Sequence, residues 1–89
     1  MRFSITSRDI ECGIAGDCER CPAALAIQRR MPGKWVWVDS GTIEIGDSRY
    51  PTPLQVQEFI DLFDQAEDFD CVPHPTTFEL PVPDHEAEE

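Results

Sequence analysis

Trp35-Val36-Trp37-Val38 and Thr42-Ile43-Glu44-Ile45 stand on either side of Asp39-Ser40-Gly41, and no other stretch so narrows what this chain can become. Both runs are rich in β-branched or aromatic residues, which suit a pleated, half-buried surface. The three residues between them include a glycine, so the pair reads as an antiparallel hairpin. Trp35 and Trp37 fall on one face of the first strand, as core or as a partner contact. Gly46-Asp47-Ser48 makes a second turn, and Arg49-Tyr50 returns as a short third strand.

The other elements follow from periodicity and end signals. Phe3 and Ile5 alternate with polar neighbours, which predicts a strand over Arg2–Thr6. Ser7 is read as the N-cap of a short helix from Arg8 to Cys12, ended by Gly13. Cys21-Pro22 opens a second helix, because proline fits the first helical position. Arg29 and Arg30 fall in its last turn, where cations complement the helix dipole, and Met31-Pro32-Gly33 stops it. A third helix begins with Thr52 as N-cap, Pro53 at the first position and Gln55 completing a capping box, and runs to about Glu67. Val56, Phe59, Ile60, Phe63 and Ala66 form its apolar face.

Thr76–Leu80 is a closing strand with Phe78 and Leu80 inward, and residues 81–89 read as a disordered acidic tail. The order is β-α-α-β-β-(β)-α-β. Three helices with a small, mainly antiparallel sheet of three to four strands make this α+β, a single domain over residues 1–80.

At 89 residues the core must be thin, since a chain of this size buries only about 60% of its unfolded surface. A metal, a disulfide or a partner often supplements such a core. No apolar run approaches the ~20 residues of a membrane span, and MRFSITSRDI has no apolar signal core. The expected setting is the cytoplasm, without membrane association, where structural disulfides are rare.

Charge is segregated. The formal net charge is −11, yet Met1 to Tyr50 carry seven bases against seven acids. After Arg49 there is no Lys or Arg, so the whole excess lies in the second half. Glu58, Asp61, Asp64, Gln65 and Asp68 fall on the side of the third helix away from its apolar face. Carboxylates three or four positions apart there are roughly 5–6 Å apart. Uncompensated like charges destabilise a helix by about 0.2–0.5 kcal/mol per pair. One reading is a solubilising surface. The sharper one is a face built from Glu58, Asp61, Asp64 and Asp68 for a partner protein with a basic surface, presenting charge as a nucleic acid does. A second copy of the chain is a further candidate partner. Direct nucleic-acid binding is disfavoured, because Arg29, Arg30 and Lys34 beside Trp35 are a weak footprint on so acidic a chain.

Cys18-x2-Cys21 has the form of half a zinc site, and Cys71-x2-His74 could supply the other half. Zinc held by Cys18, Cys21, Cys71 and His74, with Cys12 as alternate ligand, would make a small accessory domain stabilised by metal. The forty-nine residues between the pairs exceed the gap in a finger or ribbon. An iron–sulfur cluster on Cys12, Cys18, Cys21 and Cys71 fits no standard spacing. A redox thiol at Cys21 lacks a thioredoxin-like βαβ context, and Glu19 opposes its thiolate. The plain alternative is that Cys21 caps a helix while Cys12 and Cys18 pack as small apolar groups, with no cofactor. No nucleophile elbow and no glycine-rich phosphate loop is present, so no enzymatic activity is expected.

Asp9-Ile10, Gly13, Gly16-Asp17-Cys18 and Cys21-Pro22-Ala23-Ala24-Leu25-Ala26, followed by Phe59–Asp64 and Phe78-Glu79-Leu80, resemble a group of small proteins of unknown function from actinobacterial phages and their hosts. That group carries a Gly-x4-Cys-x2-Cys-Pro-x-Ala-x-Ala segment, then a hairpin, a helix and a last strand. The resemblance covers most of residues 1–80 and assigns no activity or site. It implies a phage or mobile-element setting, where small acidic proteins bind and disable host machinery, including defence systems. Cys12 and the Cys71/His74 pair stand outside its pattern.

Overall fold

A computed structural model describes residues 1–65 and 73–82. Its elements are β1 (Arg2–Ile5), α1 (Ser7–Cys12), α2 (Pro22–Arg30), β2 (Val36–Val38), β3 (Thr42–Ile45), β4 (Ser48–Pro51), α3 (Leu54–Gln65) and β5 (Thr76–Glu79). The class is α+β, in the order the sequence predicts. The strands divide into two antiparallel sheets, β1-β5 and β2-β3-β4, where the sequence suggested one.

The hairpin forms as its alternation requires. Val36 pairs with Ile45 and Val38 with Ile43, all four buried, while Trp37 and Glu44 pair on the outer face. Gly46 takes φ +58° in the two-residue turn to β4, a left-handed value that such hairpins demand and that favours glycine. On β4, Arg49 pairs with Glu44 and meets its carboxylate at 3.2 Å.

In the smaller sheet Phe3 faces Phe78, their rings 5.4 Å apart. Alternation along β1 puts Phe3 and Ile5 inward, where α2 packs on the strand and buries Ala23, Ala24, Ala26 and Ile27 in the same core. Val56, Phe59 and Phe63 of α3 complete one shared core. Ile60 is only partly buried, and Ala66 and the expected helix end at Glu67 lie outside the described residues.

Local signals place some boundaries differently. Thr6, not Ser7, caps α1: its hydroxyl accepts from Asp9 N at 3.2 Å, and Asp9 Oδ2 accepts from Thr6 N at 2.8 Å. The strand ends one residue early, and Thr6-x-x-Asp9 closes the capping box. Thr52 does not cap α3. Its hydroxyl donates to the Asp39 carbonyl at 2.8 Å, and Val56 N and Gln57 N both donate to the Pro53 carbonyl. Val82, placed with the tail by its sequence, is buried, and its carbonyl accepts from the Met1 amino group at 3.2 Å. The rest of that tail, 83–89, lies outside the described residues.

Candidate functional site

Beside the second helix, the loop after α1 folds back on the hairpin. Val38 N donates to the Cys18 carbonyl at 2.8 Å, and Gly16 N donates to Asp64 Oδ1 of α3 at 3.1 Å. These two bonds bring the loop, the hairpin turn and α3 around one cleft of about 240 Å³. Asp17, Cys18 and Cys21 line one side, Val38, Asp39 and Ser40 another, and Ile60, Asp61 and Asp64 the third. Four carboxylates face the cleft, and none of its lining residues is Lys, Arg or His.

Each carboxylate has a local reason for its place. Asp17 Oδ1 accepts from Glu19 N and Arg20 N at 2.9 and 3.1 Å, an Asx turn that leads into α2. Asp39 Oδ1 accepts from Gly41 N and Thr42 N at 2.8 and 2.7 Å, and its Oδ2 from Trp37 Nε1 at 3.3 Å. The Thr42 and Gly41 amides hold the Asp39 carboxyl below the usual range, against a smaller opposing effect of burial. Asp61 and Asp64 come from one flank of α3, three positions apart.

The thiols feel this negative surround. Burial raises the Cys18 pKa, and the charges of Asp39, Asp17, Asp64 and Glu19 raise it further. Cys21 is 5% exposed, and burial pushes its thiol up despite the Ala24 and Ala23 amides. Its Sγ accepts from Ala24 N at 3.5 Å, so Cys21 is the helix cap that Cys21-Pro22 predicts. Both thiols are free and stay protonated at neutral pH, which opposes nucleophilic chemistry.

The expected partner face divides. Asp61 and Asp64 line the cleft, whereas Glu58 is exposed on α3 without lining it, and Asp68 lies outside the described residues. Among the metal candidates, Cys18 and Cys21 share the cleft. Cys12 is exposed rather than packed, and neither it nor the exposed His74 lines the cleft. Cys71 lies outside the described residues, and among those described no three His, Cys, Asp or Glu side chains gather to hold a metal ion. Arg29 of the basic patch is engaged by Asp9. Trp35 is exposed and stacks on the half-buried Trp37 at 5.9 Å.

Asp17 and Asp39 escaped the sequence reading as site residues. Their signals, an Asp two residues before Glu19 and Asp39-Ser40-Gly41, announce turns and not a shared cleft. The chain matches no family model, no curated protein and no solved structure. Among the described residues no helix is long and apolar enough to cross a membrane.

Proposed function

We propose that this chain is a non-enzymatic acidic binding protein that inhibits or modulates a nucleic-acid-handling protein of a host cytoplasm by occupying its basic surface. The observation that carries this reading is the convergence of Asp17, Asp39, Asp61 and Asp64 from three segments on a cleft lined by no base. Glu58 extends the same charge along α3. Carboxylates on successive helical turns lie about 5–6 Å apart, a spacing close to that of phosphates along a strand. Such a field speeds encounter with a cationic groove and makes binding sensitive to salt. The host-directed form of the reading leans on the resemblance of Asp9–Ala26 to phage proteins.

Affinity capture from host lysate at low and high salt tests it, with the Glu58→Lys/Asp61→Lys variant alongside. One nucleic-acid-binding protein should be held by the wild type at low salt, released at high salt, and missed by the variant. Equal capture by both would mean that the carboxylates only solubilise the chain.

A further inference from the structure

Leu54 and Leu62 of α3 are 67% and 56% exposed, on the helix whose other face carries Val56, Phe59 and Phe63 into the core. At about 100° per residue, positions 54, 58 and 62 form one continuous ridge, with Leu54 and Leu62 about 12 Å apart along the axis. Glu58 stands between them, and Asp61 and Gln65 flank the line; all three are exposed. The ridge therefore reads apolar, anionic, apolar. Of the four large apolar side chains exposed among the described residues, two lie on this one ridge.

We infer that this ridge docks a cationic amphipathic helix of a partner protein, with apolar side chains over Leu54 and Leu62 and a Lys or Arg opposite Glu58. The inference rests on the reading that α3 faces the partner, and it names what the partner presents there. Ridges at four-residue spacing interdigitate with the grooves of a second helix, which gives the strip a defined mate. Charge selects the occupant. An antiparallel two-fold pairing of this strip with itself would set Glu58 against its own copy at the centre of the seam. An anionic lipid or nucleic-acid surface is repelled by the same carboxylates.

Fluorescence anisotropy with two labelled synthetic peptides tests the inference. One is an 18-residue Leu/Lys helix with its leucines on one face; the other has the same composition in an order that scatters them. The wild type should bind the ordered peptide at least about tenfold more tightly, a usual effect for buried apolar anchors. Leu54→Ala/Leu62→Ala should erase that preference and leave weak, salt-sensitive binding; both leucines are exposed, and circular dichroism checks that the variant folds. Equal binding of the two peptides, weakened by salt, would overturn the ridge and leave the acidic-surface reading standing. No binding of either at low salt would overturn both. A wild-type dimer in sedimentation, dispersed by the leucine variant, would put a second copy on the ridge and also overturn the inference.

Discussion

Arg29 ties the end of α2 back to Asp9: its Nη1 donates to Asp9 Oδ1 at 2.6 Å, while Nη2 donates to the Ser4 carbonyl at 2.7 Å. Asp9 is buried and also closes the α1 capping box through Thr6 N. One carboxylate thus joins α1, α2 and the end of β1. Burial alone would raise its pKa, but the Arg29 hydrogen bond, the Thr6 amide and the Arg29 charge together hold it below the usual value.

The sign of the pH effect follows. Unfolded, the Asp9 carboxyl titrates at about 3.9, and folded it titrates lower, so the native state binds fewer protons in that range. The stabilisation is complete above the unfolded value and is lost as pH falls through the folded one. Asp39, held low by its turn amides, adds stability of the same sign. Asp9→Asn should cost about 1–3 kcal/mol at neutral pH, a figure kept modest because the Arg29 side chain is 47% exposed. Urea midpoints at pH 7, 4 and 3 should fall less steeply for the variant. Equal slopes would mean that other carboxylates carry the acid sensitivity.

Gly13 is required by space and not by backbone conformation. Its φ is an ordinary −71°, but a Cβ there would lie 2.6 Å from Pro22 Cδ and Cγ and 2.9 Å from the Asp9 carbonyl. The proline ring is buried and rigid, and the carbonyl already accepts from Gly13 N, so neither yields cheaply. Gly13→Ala should therefore push α1 away from α2 and cost about 1–3 kcal/mol. An unchanged melting temperature would show that α1 can move without loss.

What the sequence made legible is what depends on near neighbours. The hairpin, the cap at Cys21 and the apolar face of α3 each follow from residues within a few positions of one another. The failures are tertiary. Thr52 has every local mark of an N-cap, yet its hydroxyl goes to the Asp39 carbonyl, thirteen residues away. The two sheets were read as one because alternation assigns strands but not their neighbours. The cleft depends on Gly16 meeting Asp64 across forty-eight residues, and no local pattern announces that meeting.

The thiols should differ in reactivity by access. Cys12 is exposed, Cys18 is half-buried among carboxylates, and Cys21 is buried as a helix cap. Alkylation at pH 7, followed residue by residue by mass spectrometry, should modify Cys12 before Cys18 and leave Cys21 for last. Rapid labelling of Cys21 below neutral pH would revive a redox role. Chelator should leave the melting temperature unchanged; a drop would restore the zinc reading of Cys18, Cys21, Cys71 and His74.

Asp61 and Asp64 share a flank of α3 and line the same cleft, yet they should respond differently to substitution. Asp64 accepts from Gly16 N and so anchors the cysteine-bearing loop, whereas Asp61 has no hydrogen-bond partner among the described residues. Asp64→Ala should cost about 0.5–1.5 kcal/mol, the usual net worth of one hydrogen bond, and loosen the loop. Asp61→Lys should leave the melting temperature unchanged or slightly raised, because it relieves repulsion from Glu58 and Asp64 at helical spacing. If the acidic cleft is a working surface, Asp61→Lys weakens partner capture while stability holds. Thermal melts and salt-dependent capture on both variants separate the two roles. Destabilisation by Asp61→Lys comparable with that of Asp64→Ala would make Asp61 a structural residue and remove it from the partner-facing surface.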